Sequence, residues 1–179
     1  MSKTKVISQL ILNNLILHDD ADYDGLRKNT FQLLVEEGYD SELASDISGR
    51  VKQMYLMADE ADNHHKNGDE IQEDISYNAM KKSANDINDR MGHRRYSRFE
   101  IDWWKSWRHG KYSKTGFLLF RYNLLMMGNK HPIAAMENTY YLMMAGKYHN
   151  KKDWNKALLF IEKMWKNISS YSNELPLIF

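Results

Sequence analysis

The chain has 179 residues with 25 Lys/Arg and 24 Asp/Glu, so its formal net charge is only +1. This length suits one domain with a genuine core, and the 42% hydrophobic and 12% aromatic content excludes a disordered chain. The absence of cysteine excludes disulfides, thiolate metal sites and cysteine nucleophiles, while two prolines and nine glycines argue against a turn-rich all-β fold.

Helical periodicity runs through the N-terminal half, and it predicts four helices. The first runs from about residue 4 to residue 18, and the second follows the acidic linker at residues 19–24 and stops at Gly38. The third fades near residue 66, and the fourth runs from about residue 69 to residue 91. Asp40 or Ser41 is expected to cap the third helix, and Gly92 to end the fourth. Apolar residues at helical spacing predict a buried face on the second helix, with Leu26, Phe31, Leu34 and Val35, and a stripe on the fourth, with Ile71, Ile75, Ala79, Ala84 and Ile87.

Four more helices are predicted in the C-terminal half. Ser97-Arg98-Phe99-Glu100 matches a capping box at the start of the fifth, which runs to about residue 109. The sixth, over residues 115–127, is apolar nearly all round, which predicts a central, buried helix. Pro132 opens the seventh helix and Asp153 caps the eighth. We therefore predict an all-α fold: a single compact bundle of seven to eight helices over residues 1–179, ending in an antiparallel helix hairpin.

Charge is divided between the two halves of the chain. Residues 1–89 hold 9 Lys/Arg against 18 Asp/Glu, and residues 90–179 hold 16 against 6. The acidic half therefore carries −9 and the basic, aromatic half +10. Charge distribution governs association more than fold, so this division indicates a binding protein whose basic half contacts an anionic partner.

The most basic segment is also rich in aromatic residues. Lysine and arginine contact phosphates, and aromatic rings stack on unpaired bases. Trp103 and Trp107 share one helix face and are expected in the core, whereas Trp104 points about 100° aside and is expected to be exposed. The predicted nucleic-acid or partner-binding residues are Arg94, Arg95, Tyr96, Arg98, Trp104, Lys105, Arg108, Lys111 and Lys114.

Acidic residues and histidines crowd the junction between the third and fourth helices. Glu60 and His64 are four residues apart on one helix, and Asp69 or Glu73 is expected across the turn. Imidazole with carboxylate suits Zn, Mn or Fe. One interpretation is a metal site formed by Glu60, His64, Asp69 and Glu73. The other is a solvated helix end without a metal, which has the same composition.

No catalytic motif is found, and we predict a non-catalytic binding protein without a cofactor. Its first-choice partner is DNA or RNA, and its abundance of Asn, Lys, Ile and Tyr suits a phage or a low-GC bacterium. The first alternative is an adaptor or inhibitor that docks on a host protein through its charge-split surface. The second is a small metal-dependent hydrolase that uses the junction at residues 59–74. The polar N-terminal segment predicts a cytoplasmic protein without membrane contact. The sequence is also compatible with a homo-oligomer.

Overall fold

Eight helices account for most of the described chain, and no strand occurs among its described residues. The computed structural model describes residues 2–92 and 97–171, except for the side chains of residues 97–101. The helices are α1 (Lys3–Asp19), α2 (Tyr23–Glu36), α3 (Ser41–Lys66), α4 (Glu70–Met91), α5 (Ser97–Arg108), α6 (Tyr112–Met126), α7 (Pro132–Asn150) and α8 (Trp154–Ser169). The predicted all-α fold is confirmed.

Aspartates begin four of the helices. The carboxylate of each accepts a hydrogen bond from a backbone N–H three residues further on, as an N-cap does. These residues are Asp22, Asp40, Asp69 and Asp153. Pro132 lies in the first turn of α7, and Gly92 ends α4 in the left-handed conformation with φ 71°. The capping box at residues 97–100 lies outside the described side chains.

Tertiary contacts group the chain into two compact units that differ in charge. Residues 17–101 hold 11 Lys/Arg and 19 Asp/Glu, a balance of −8, and are called the acidic unit. Residues 1–16 and 102–179 hold 14 Lys/Arg and 5 Asp/Glu, a balance of +9, and are called the basic unit. The single domain over residues 1–179 stays a prediction.

In the acidic unit, α3 packs against both α2 and α4. Its inward positions include Ile47, Val51 and Met54, which are fully or almost fully buried. Ala58 and Ala61 continue this face with small side chains, which allows a neighbouring helix to approach closely. The helix therefore forms the centre of this unit.

In the basic unit, α7 packs against both α6 and α8. A neutral polar network joins α6 to α7: the Asn138 side-chain amide donates to Asn123 Oδ1 at 2.7 Å, and Asn123 Nδ2 donates to Thr139 Oγ1 at 3.0 Å. The Thr139 hydroxyl in turn donates to the carbonyl of Ala135 at 2.8 Å. Asn123 and Asn138 are completely buried, so these hydrogen bonds replace part of those that both side chains make to water in the unfolded chain, and Asn138 Oδ1 has no hydrogen-bond partner among the described residues.

Several predictions of burial are wrong. Ala84 and Ile87 of the predicted stripe on α4 are buried, but Ile71 and Ile75 are 74% and 53% exposed, because the buried face in the first half of the helix runs through Tyr77 and Met80. Val35 of α2 is also exposed. The sixth helix has an outward face, on which Phe117 is 59% exposed, and is not buried all round.

No helix within the described part of the chain combines the length and the apolar character needed to cross a bilayer.

Candidate nucleic-acid interface

Several cations of the acidic unit are engaged by carboxylates of the same unit. Asp46 accepts from Arg50 Nε at 3.2 Å and pairs with Arg90 Nε at 2.9 Å. Lys52 Nζ donates to Asp24 Oδ1 at 2.7 Å, and this hydrogen bond lowers the pKa of Asp24. These basic side chains therefore serve contacts within the unit.

Several lysines of the basic unit have no carboxylate partner among the described residues. They are exposed and lie on α7, on α8 and in the turn between these helices. They are Lys147, Lys151, Lys152, Lys163 and Lys166. Lys156 lies 3.8 Å from the Asp153 carboxylate, a loose pair at the surface. These ammonium groups can contact an external anion without first breaking a strong internal ion pair.

Four aromatic rings lie beside two lysines on the α7–α8 hairpin. Tyr148 and Phe160 are stacked, with ring centroids 5.8 Å apart and an interplanar angle of 8°. Tyr140 meets Phe160 edge-on at 6.0 Å, and Tyr141 lies 6.4 Å from it. We call this set the aromatic–lysine surface; its members are Tyr140, Tyr141, Tyr148, Lys156, Phe160 and Lys163.

The two lysines of this surface lie over its rings. Lys156 Nζ is 5.2 Å from the centroid of Tyr148, and Lys163 Nζ is 5.3 Å from Phe160 and 5.9 Å from Tyr141. At exposed sites a cation–π contact contributes only about 0.5–1 kcal/mol. A phosphate oxygen can therefore replace the ring as partner of the ammonium at little cost.

Helical spacing produces this surface. Tyr141 and Tyr148 are two turns apart on α7, and Lys156, Phe160 and Lys163 follow at intervals of four and three on α8. The sequence prediction includes no binding residue here. The two periodic sets are visible in the sequence, but their meeting depends on the packing of α7 on α8.

The predicted binding segment is only partly described. Arg94, Arg95 and Tyr96 lie outside the described residues, and Arg98 belongs to α5 with its side chain outside them. The prediction that Trp104 is exposed is wrong, since it is 2% exposed. Trp103, 6.1 Å away ring to ring, is buried as well. An apolar helix face about 100° wide or more holds two adjacent residues, which explains why both rings are buried.

The remaining predicted residues surround the turn from α5 to α6. Lys105 is half-buried, and Arg108 is exposed with Cζ 5.4 Å from the Trp104 ring centroid. Lys111 and Lys114 are exposed at the start of α6. Further along α6, Arg121 Cζ lies 5.7 Å from the ring of Phe117. This turn and helix add exposed cations to the basic unit.

The predicted metal ligands have separate partners in the acidic unit. His64 Nε2 lies 3.7 Å from Glu60 Oε1, while Glu73 Oε2 lies 3.1 Å from Nδ1 of His65, the residue that follows His64. Asp69 caps α4 through the backbone N–H of Gln72. The metal site stays a prediction.

Carboxylates in the acidic unit also join helices. Asp59 of α3 lies 2.7 Å from His18 Nε2 and accepts a hydrogen bond from the Tyr23 hydroxyl. Burial raises the pKa of Tyr23 to about 12, assisted by the hydrogen bond to Asp59 and its negative charge. Burial and the charge of Glu73 also raise the pKa of Tyr77. The contacts of Asp59 attach the end of α1 and the start of α2 to α3.

A groove of about 730 Å³ also crosses the acidic unit. The groove is lined by two cations, Arg27 and Arg50, and by two carboxylates, Glu42 and Asp46. Its electrostatic potential is therefore not uniformly positive and does not favour an anion. This groove is therefore not a candidate site for an anion. No protein family, curated protein or solved structure matches this chain in comparisons with known proteins.

Proposed function

We propose that the protein is a non-catalytic nucleic-acid-binding protein whose basic unit contacts the phosphate backbone. The observation that carries this proposal is the net balance of +9 in the basic unit together with its exposed lysines. In the acidic unit, whose balance is −8, carboxylates hold Arg50, Lys52 and Arg90. Lys147, Lys151 and Lys163 of the basic unit are exposed without an ion pair within the described residues.

A polyanion suits these lysines because each phosphate that a protein neutralises releases counterions from the nucleic acid. The release makes affinity fall as salt rises, and the slope of a log–log plot steepens by about 0.7–0.9 for each neutralised phosphate. The net balance of +9 in the basic unit adds long-range attraction at low ionic strength.

The test is a matched pair of charge reversals measured by fluorescence anisotropy on labelled DNA and RNA over a range of salt. The triple variant Lys147→Glu/Lys151→Glu/Lys163→Glu is expected to lower affinity at least about tenfold and to reduce the salt slope by about 2. Lys28→Glu/Lys66→Glu/Lys82→Glu makes the same change in net charge on exposed lysines of the acidic unit. This control is expected to bind almost as well as the wild type.

Two results would contradict the proposal. One is the absence of binding by the wild-type protein to DNA and RNA at low salt. The other is an equal reduction in affinity in both triple variants, which would mean that net charge alone governs the association.

A protein partner is the second candidate, because α7 exposes apolar side chains near its start. Ile133 is 72% and Met136 is 62% exposed, one turn apart on the same face. Exposed apolar groups of this kind mark contact surfaces when they cluster. Co-purification of a protein that survives nuclease treatment and is abolished by Ile133→Ser/Met136→Ser would favour this candidate. Cytoplasmic location and homo-oligomerisation stay predictions from the sequence.

A further inference from the structure

We infer that the aromatic–lysine surface is a stacking platform for the bases of single-stranded nucleic acid. This inference rests on the proposed function and specifies its substrate class. A preference for single strands does not follow from charge, because cations alone bind duplexes and single strands alike. It follows from the rings that lie among the cations.

The rings are held in place and remain accessible. Tyr148 on α7 and Phe160 on α8 are stacked almost parallel, at 8°, so packing of the two helices fixes their orientation. Both are half-buried, and Tyr140 beside Phe160 is 55% exposed. Because Tyr148 and Phe160 cover part of each other's faces, Tyr140, the most exposed ring of this surface, is the first partner for a planar base.

The lysines lie where a stacked nucleotide would need them. Lys156 and Lys163 have their ammonium groups over the rings, 5.2–5.9 Å from the centroids, so a base that stacks on a ring would displace an ammonium that can then contact the phosphate of the same nucleotide. Tyr141 and Tyr148 are seven residues apart on α7, a distance of about 10 Å along the axis. That length matches about three stacked nucleotides at about 3.4 Å each.

A duplex cannot use such a surface in the same way, since the faces of its bases are covered by their neighbours in the stack. Proteins that read a duplex contact the edges of base pairs in a groove, or the backbone. Aromatic rings among cations are instead typical of proteins that bind single strands with little sequence preference.

The experiment compares three ligands at one salt concentration: oligothymidylate of about twelve nucleotides, an abasic strand of the same length, and a duplex of about the same length. The abasic strand keeps the phosphates and lacks the bases. We expect the protein to bind oligothymidylate about tenfold or more tightly than either other ligand. Similar affinity for all three would overturn this inference and leave the phosphate-binding proposal standing, whereas no binding to any of them would overturn both.

Variants assign the stacking to this surface. Tyr148→Leu/Phe160→Leu keeps apolar side chains and all lysines, and it is expected to remove the preference for oligothymidylate while the salt slope stays unchanged. Tyr140→Leu removes an exposed ring with little effect on packing, and a partial reduction of the preference is expected even if the double variant fails to fold. Tyr39→Leu in the acidic unit is the control. If Tyr140→Leu and a folded double variant both prefer oligothymidylate as strongly as the wild type does, the bases stack elsewhere and the inference is overturned.

Discussion

The two units differ in the side chains that join their helices. In the acidic unit, carboxylates such as Asp59 and Asp46 join elements that are distant in sequence. In the basic unit, the buried polar contacts between α6 and α7 are formed by neutral amides and a hydroxyl, while lysines lie at the surface. Charged side chains therefore help to join the elements of the acidic unit, whereas neutral side chains join α6 to α7 in the basic unit.

The largest change in stability is expected for Asn123→Ala in the basic unit. The substitution leaves the buried Asn138 amide without its acceptor and creates a cavity, so the free energy of unfolding is expected to fall by about 2–3 kcal/mol. Because the network is neutral, this destabilisation is expected to be nearly independent of ionic strength. Urea denaturation at low and high salt measures both quantities.

Asn155→Ala is the control, since Asn155 is an exposed residue in the same unit. A small effect of Asn123→Ala, or one that vanishes in salt, would mean that the neutral network does not stabilise this unit.

A smaller effect is expected from Tyr23→Phe in the acidic unit, which removes the hydrogen bond to Asp59 and costs about 1 kcal/mol near neutral pH. The folded state raises the pKa of Tyr23 from 10.0 to about 12, so it favours the protonated phenol. The resulting stability is fully present below pH 10 and is lost as the pH rises toward 12. The advantage of the wild type over the variant should therefore shrink in this range, as urea denaturation at several pH values would show.

Tyr140→Phe, which removes an exposed hydroxyl from the basic unit, controls for the general effect of the substitution. A stability difference between wild type and Tyr23→Phe that stays constant up to a pH of about 12 would contradict the role given to the Tyr23–Asp59 contact.

The smallest effects are expected at two helical glycines, one in each unit, and they should differ in sign. A Cβ at Gly49 would lie 3.5 Å from Arg27 Nη2, an ordinary contact, so Gly49→Ala is expected to stabilise by about 0.5–1 kcal/mol through helix propensity. A Cβ at Gly146 would lie 3.0 Å from Cζ2 of Trp107, whose ring must then move. We expect Gly146→Ala to destabilise by about 1 kcal/mol.

Thermal denaturation of the two alanine variants measures this difference directly. Stabilisation by Gly146→Ala would show that the Trp107 ring is free to move and that the interior of the basic unit is less constrained than its packing indicates.

Local features are predictable from this sequence, and tertiary features are not. The caps at Asp40 and Asp153 and the start of α7 at Pro132 are predicted correctly because a cap involves only residues within one turn. Burial of Trp104 and exposure of Ile71 depend on which face meets another helix, which periodicity alone does not determine. The candidate surface around Phe160 depends in the same way on packing between α7 and α8.

The charge boundary predicted from the sequence is close to the structural one but differs from it. The sequence places it at residue 90, whereas the basic unit resumes at Asp102 and also includes the first 16 residues. Lys3 and Lys5 therefore belong to the basic unit, although they lie in the half that is acidic overall. No sequence signal relates these first residues to a segment more than about 80 positions away.

That grouping has a consequence for synthesis in the cell. Residues 1–16 emerge from the ribosome before residues 17–101, yet the segment that they join begins only at Asp102. At about 5–20 residues per second, the intervening 17–101 segment takes roughly 4–17 seconds to make. During that interval the acidic unit can fold. Ile7, Leu10 and Ile11 of α1 are buried in the folded protein, but the rest of their unit has not yet been synthesised. Premature termination near residue 101 would leave this apolar face exposed and prone to aggregation.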